Sequence, residues 1–239
     1  MRISKKCVTA ALVAMTTMSS TAFGQALLVD DFSGTGGPDS TKWTVSTQNN
    51  GSPFGCTFAT SEVWKSGGNL ILNVNPNTDK CAEVKSVKSD FKYGKYLVRV
   101  TPSTFAGGNT SFFLYTGTTG GATNHYEIDI EIINGGKTLH TNYFVKGSDN
   151  GGKNVKQFNL GAGLVQLGFE WRANTIRWFW VGSDGKENNY RTANVSISNN
   201  MNLFMNHWYS DNSASGVGFL GEHTGGGGQA KYDKVEVYK

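Results

Sequence analysis

Short runs in which apolar and polar residues alternate recur along this chain at about ten-residue spacing, with Gly, Asn, Asp and Pro between them. These include Asn69 to Asn75, Tyr96 to Val100, Tyr126 to Ile132, Leu139 to Val145, Thr175 to Val181 and Tyr232 to Tyr238, and two mainly apolar runs, Ser111 to Tyr115 and Met201 to Trp208, read as strands beside them. Ser86 to Phe91, Val155 to Leu160 and Gly168 to Trp171 read as further strands. Turns are expected at Lys65-Ser66-Gly67-Gly68, Tyr93-Gly94-Lys95, Asn134-Gly135-Gly136 and Ser183-Asp184-Gly185, and loops at 33–39, 48–55, 76–80, 147–152 and 225–228. No long segment carries the helical period, no unit repeats, and no Pro- or Ser-rich linker divides the chain. The pattern predicts an all-β sandwich in a single domain.

One run is chemically unusual. In Tyr126 to Ile132, Glu127, Asp129 and Glu131 alternate with Ile128, Ile130 and Ile132. A strand has a side-chain period of two, so three carboxyls share one face and three isoleucines the other. Stacked carboxylates repel one another, and strands disfavour Asp and Glu. Crowding also raises at least one carboxyl pKa, which leaves a general acid with its proton near neutral pH. The α-carbons of Glu127 and Glu131 would lie about 13 Å apart on a flat strand. Two long Glu side chains leaning together can approach the carboxyl separations of glycoside hydrolysis, roughly 5–5.5 Å for retention and 6.5–9.5 Å for inversion. A solvated face paired with lysines, or a calcium site, would use the same residue types, and the spacing alone separates these readings weakly.

Composition narrows the setting. Arg2, Lys5 and Lys6 precede the mainly apolar stretch Val8 to Met18, and small residues follow, so residues 1–26 read as a secretory signal peptide and 27–239 as the mature domain. The leader carries three of the 22 basic residues and none of the 18 acidic ones, leaving 19 against 18. A near-neutral domain gives no reason to expect nucleic acid, and no later stretch is apolar enough to cross a membrane. Cys7 leaves with the leader. Cys56 and Cys81 are then expected to pair in an oxidising compartment, closing a loop valued at roughly 3–4 kcal/mol; two free thiols are the alternative. Six Trp, nine Tyr and 14 Phe suit a polar, uncharged ligand with flat faces, such as a sugar, although core packing explains most single aromatics.

The run Glu127-Ile128-Asp129-Ile130-Glu131 resembles the signature of glycoside hydrolase family 16, and the bacterial lichenases (endo-1,3-1,4-β-glucanases) most of all. Phe112 to Gly117, Cys56-Thr57, Cys81-Ala82-Glu83, Asn142-Tyr143, Met205-Asn206-His207-Trp208 and Tyr232-Asp233 resemble family segments in the same order. The resemblance implies a jelly-roll sandwich with a glucan-binding cleft on its concave face. It implies Glu127 as nucleophile, Glu131 as acid/base and Asp129 as the residue that positions and tunes them, with retention of configuration. The unbulged spacing, with no extra residue before Glu131, implies the lichenase and xyloglucan-transglycosylase side of the family. Sugar contacts are implied for Glu83, Lys85, Phe113, Tyr115, His125, Asn142, Phe144, Asn206 and Trp208, with Tyr115 and Trp208 as stacking platforms.

Several positions depart from the lichenase pattern. Lys85 stands where Arg is usual, His125 where Trp is, Phe144 where Tyr is, and Tyr126 where Asp is. These changes spare the acidic row and alter the subsites. The chemistry needs no cofactor; the resemblance adds a structural calcium at Asp31, Gly68 and Asp233, held mostly by carbonyls and water. The expectation is a secreted, monomeric endo-β-glucanase acting on mixed-linkage glucan. A transglycosylase on the same fold and a non-catalytic carbohydrate-binding sandwich are the alternatives.

Overall fold

The computed structural model describes residues 24–118, 120–155 and 163–239. In chain order the strands are β1 (Ala26–Asp30), β2 (Trp43–Val45), β3 (Thr57–Phe58), β4 (Val63–Ser66), β5 (Asn69–Val74), β6 (Lys80–Ser86), β7 (Gly94–Thr101), β8 (Gly108–Tyr115) and β9 (Tyr126–Ile133). They continue as β10 (Thr138–Val145), β11 (Ser148–Asp149), β12 (Lys153–Val155), β13 (Val165–Arg172), β14 (Thr175–Val181), β15 (Glu187–Asn194), β16 (Asn202–Tyr209) and β17 (Gly228–Tyr238). One sheet runs β15-β14-β13-β7-β17-β5-β4, with β1 beside β17. The other runs β11-β10-β9-β8-β16-β6-β2, with β12 beside β10 and the short β3 parallel to β6. Neighbours such as β8, β16 and β6 are far apart in sequence, so the second sheet is assembled by long crossovers.

The core lies between the sheets. Ile128, Ile130 and Ile132 of β9 are buried there with Phe112, Leu114, Leu203 and Met205 from the same sheet, facing Tyr96, Phe169, Trp171, Trp178 and Tyr232 from the other. Each fully buried isoleucine contributes about 1.5–3 kcal/mol, enough for three to offset much of the cost of acidic residues on the opposite face. Three interior side chains reach across the sandwich to the backbone of the second sheet and its loops. Trp178 Nε1 donates to the Asp129 carbonyl at 3.0 Å, the Tyr232 hydroxyl to the Ser111 carbonyl at 2.7 Å, and Arg191 Nη2 to the Gly151 carbonyl at 2.9 Å. Arg191 is itself buried with its guanidinium 4.7 Å from the Trp178 ring, and burial lowers its pKa.

Most expected strands are present, several of them longer. The turn that stops β9 is as expected: Asn134, Gly135 and Gly136 have φ of 53, 66 and 74°, and a Cβ on Gly135 would lie 2.9 Å from the Thr104 carbonyl. The Ser86 to Phe91 strand is not formed. Alternation across Cys81 to Ser86 makes β6, which ends at Ser86, and Phe91 joins the sheets only through an isolated bridge to Met201. Ser86 ends the strand because its hydroxyl turns back to the Lys88 carbonyl, and Val87 and Asp90 face solvent. The short strands β1 to β4 and β11 match none of the expected runs, and two longer elements also had no clear signal. Polar, Asn-rich β15 is an edge strand, and the seven-residue helix α1 (Ala214–Leu220) begins where the Ser213 hydroxyl accepts the Gly216 N–H at 3.2 Å. Residues 1–23 of the expected 1–26 leader, and the far part of the Val155 to Leu160 run within 156–162, lie outside the described residues, and Ala26, the last residue of that leader, opens β1. No helix among the described residues is long and apolar enough to cross a membrane.

Candidate active site

Strand β9 lies between β8 and β10 in register, and the register decides what meets the acidic row. Glu127, Asp129 and Glu131 lie opposite Tyr115, Phe113 and Ser111 on β8 and opposite Phe144, Asn142 and His140 on β10. Each carboxyl has its own surroundings. Glu131 Oε1 accepts the Asn109 side-chain N–H at 2.8 Å. Burial pushes the Glu131 carboxyl up to about 8; the Asn109 bond opposes this and the charge of Glu127 adds to it. Burial, reinforced by the charges of Glu127 and Glu131, holds the Asp129 carboxyl well above the usual carboxylate range. Glu127 Oε2 lies 2.7 Å from His125 Nε2. The row can therefore keep protons at its centre and at Glu131 while Glu127 faces a nitrogen.

These carboxyls form the floor of a cleft on the outward face of the second sheet. On one side it has a volume of about 780 Å³, bounded by Glu83, Lys85, Phe113, Tyr115, Phe204 and Asn206. On the other it continues for about 510 Å³ along His140, Asn142, Phe144, Asp149 and Phe219. Thus every residue implied by the signature resemblance borders one arm or the other, but several have work other than direct sugar contact. Glu83 and Asn206 are bonded to each other at 3.1 Å, and Glu83 also accepts from the Ser46 hydroxyl at 2.7 Å and the Gln48 amide at 3.0 Å. Burial raises the pKa of Glu83 against these three bonds. Phe113 stacks on Phe204 at 5.1 Å, giving the first arm an aromatic wall. Asn142 uses its side-chain oxygen on its neighbour's N–H, that of Tyr143, at 2.8 Å.

Trp208 differs from the stacking platform expected of it. It is 3% exposed, and the Phe54 ring lies over it at 4.0 Å with 29° between planes. The aromatic at that rim is the half-buried Phe54, which borders both arms. Its loop is held by the Cys56–Cys81 disulfide, which ties the segment before β3 to β6, and by the Gly55 N–H bond to the Tyr209 carbonyl at 2.8 Å.

A row of three carboxyls, two of them with raised pKa, on the open face of such a sandwich is a site for acid/base work on a polar ligand. The model of the family described as glycosyl hydrolases family 16 matches residues 50–233. The chain belongs to this family. It is 34% identical over 214 residues to a beta-glucanase of Acetivibrio thermocellus, covering 84% of this chain and 60% of that protein. It is 32% identical over 182 residues to a beta-glucanase of Bacillus licheniformis, covering 74% of this chain and 71% of the relative. The chain thus spans about three fifths of the length of the Acetivibrio thermocellus relative. The solved structure of Bacillus licheniformis beta-glucanase superposes with a TM-score of 0.77 at 28% identity, over 90% of this chain and 99% of that one. A prokaryotic beta-1,3-1,4-glucanase (lichenase) from a mouse hindgut metagenome gives 0.74 at 26% identity, over 88% and 98%. The two sheets are the jelly-roll sandwich of family 16.

Among the residues not anticipated from sequence are Asn109, which bonds Glu131, and Phe204, His140 and Phe54, which border the cleft. The first three share a face with expected residues by simple alternation, Asn109 with Phe113 on β8, Phe204 with Asn206 on β16, and His140 with Asn142 on β10. Extending the period-two count along those strands finds them. Phe54 sits on a loop, where no period applies. The calcium expectation meets a poorly suited donor set. Asp233, its one side-chain carboxylate, is ion-paired with Arg99 at 3.1 Å, and Asp31 accepts the Ser33 N–H at 3.1 Å. A guanidinium on the one anionic ligand competes with a cation there.

Proposed function

We propose that this chain is a secreted, monomeric endo-β-glucanase that hydrolyses β-1,4 bonds in mixed-linkage 1,3-1,4-β-glucan with retention of configuration. The observation that carries this reading is the unequal environment of the two glutamates. Glu131, pushed up to about 8, can hold the proton that a departing glycosidic oxygen needs. Glu127, two residues from Asp129 on the same face, has the role of nucleophile. Its carboxylate oxygen bonds the anomeric carbon as the glycosidic C–O bond breaks and the Glu131 proton passes to the leaving oxygen. Glu131, now ionised, takes a proton from water, and the resulting attack on the anomeric carbon frees Glu127. Asp129, held protonated between them, can donate a hydrogen bond to Glu127 and so limit the charge crowded into the row.

The choice of mixed-linkage glucan is supported by the unbulged Glu127-to-Glu131 spacing and by likeness to proteins named as beta-glucanases. Export is supported by the leader pattern of residues 1–26. Azide tests the chemistry directly. Glu127→Gly with azide and an activated glycoside is expected to yield the α-glycosyl azide, and Glu131→Gly the β-anomer; the reverse assignment of products would exchange the two roles. A panel of lichenan, laminarin, xyloglucan and carboxymethylcellulose, with products sized, tests the substrate. Preferential cleavage of laminarin, or dominant longer products with oligosaccharide acceptors, would replace this reading with a laminarinase or a transglycosylase.

A further inference from the structure

We propose that His125 is a positioning residue for the nucleophile: it donates a hydrogen bond from Nε2 to Glu127 Oε2 and leaves the other carboxylate oxygen to attack. This rests on Glu127 being the nucleophile. The resemblance to lichenases implied sugar contact here, at a position where Trp is usual. The geometry points elsewhere.

The tautomer follows from the partners of the ring. The Gly121 backbone N–H, which can only donate, points at His125 Nδ1 at 3.2 Å. Nδ1 must then present its lone pair, and in the neutral ring the single proton sits on Nε2, facing Glu127 Oε2 at 2.7 Å. A second proton on Nδ1 would set N–H against N–H. The interaction is thus that of a neutral donor with a carboxylate, with both ring nitrogens engaged.

The ring has little freedom. Phe144 stacks on it at 4.8 Å with 18° between planes, Tyr115 packs edge-on at 5.2 Å, and the residue is 5% exposed. Its faces are therefore not offered to a sugar. The backbone is fixed as well, by His125 N–H to the Ala122 carbonyl at 2.8 Å and by the Gly147 N–H to the His125 carbonyl at 3.0 Å. Gly147 has φ of 80°, and a Cβ there would fall 2.3 Å from the Gly121 carbonyl oxygen, so glycine is what lets the two loops close around the histidine. Two loops and two aromatic rings converge on one imidazole whose only cleft-facing polar atom meets Glu127.

Holding Oε2 has a consequence at each stage. Before reaction it selects one carboxylate rotamer, so the attacking oxygen is already aligned. After attack Oε2 becomes the carbonyl oxygen of the glycosyl ester. A donor there favours departure of the carboxylate when water resolves the ester, because charge returns to that oxygen.

The test compares His125→Phe, which keeps the stacked ring and deletes the donor, with His125→Gln, which keeps an N–H. Expected for His125→Phe is a kcat on lichenan lower by roughly 100-fold with KM little changed. His125→Gln should recover about tenfold or more of that loss, with both variants melting at similar temperatures. Equal kcat in wild type and His125→Phe, or no recovery in His125→Gln, would overturn the proposal. The ring nitrogens of the wild-type enzyme provide a check that does not depend on how the variants fold. Nitrogen-15 shifts should show Nε2 protonated and Nδ1 bare, and the opposite tautomer would also overturn it. If Glu127→Gly gives no α-glycosyl azide, the nucleophile assignment fails instead; if it does while His125→Phe is fully active, only the positioning role fails.

Discussion

Glu131 and Asn109 show how one hydrogen bond sets a working pH. Burial is the largest influence on Glu131 and lifts its carboxyl to about 8, while the Asn109 amide, 2.8 Å from Oε1, stabilises the ionised form and pulls the other way. A general acid acts only while protonated, so kcat/KM is expected to fall on the alkaline side near pH 8. Asn109→Ala removes the opposing bond, and the alkaline limb should then move to higher pH. A limb that stays in place, or moves down, would show that Asn109 does not act on Glu131. Glu131→Gln should lower kcat on lichenan by roughly 100- to 10,000-fold, with a much smaller loss on an aryl glycoside whose leaving group needs no proton. Measuring both substrates separates loss of the acid from general damage to the cleft.

At the scale of the element, β9 is held from both sides by register and from below by Trp178. The indole N–H reaches the Asp129 carbonyl from β14, in the opposite sheet, at 3.0 Å. Trp178→Phe keeps an aromatic ring in the core but leaves that carbonyl without its interior donor, at a cost of about 1–3 kcal/mol. Urea denaturation should register the loss, and kcat should fall with it if the floor of the row shifts; unchanged stability would mean the bond contributes nothing net. Much of this was legible in the sequence, because a strand with three isoleucines on one face and three carboxyls on the other has only one way to lie on a sandwich. The partners opposite the row were largely legible: Phe113, Asn142 and Phe144 could be placed, and His140 follows from Asn142 by the same period of two. Trp208 misled because a tryptophan among polar residues looks exposed in sequence, whereas Phe54, brought from 154 positions earlier by a loop, covers it. Strand β15 was hidden by its composition, since Glu187-Asn188-Asn189 has little strand propensity and is held there by pairing with β14.

For the whole molecule, ionisable groups in and behind the site also bound the pH range in which the fold is stable. His207 lies on β16 at 0% exposure, with Nδ1 bonded to the Asn109 carbonyl at 2.6 Å. Burial lowers its pKa from 6.5 to about 4. A group depressed on folding stabilises the native state above its unfolded pKa, and that contribution is lost as pH falls through the folded value. For His207 the loss runs from about pH 6.5 down to pH 4 and amounts to roughly 3 kcal/mol. Glu131 acts in the opposite sense. Its pKa is raised on folding, from 4.5 to about 8, so the neutral carboxyl favours the native state at low pH and stability declines as pH rises toward 8. Both effects centre on strands β8, β9 and β16, and both arise from burying an ionisable group beneath the cleft. Thermal midpoints measured from pH 4 to pH 9 should therefore peak in the weakly acidic range. His207→Gln should flatten the acid side alone. Glu131→Gln, which cannot ionise, should lessen the alkaline decline, leaving the part due to Asp129 and Glu83, and melt a few degrees above wild type near pH 8 or 9, although it is nearly inactive. Should Glu131→Gln melt below wild type at that pH, the buried acid would not be destabilising, and the raised pKa that underlies its role as proton donor would have to be given up.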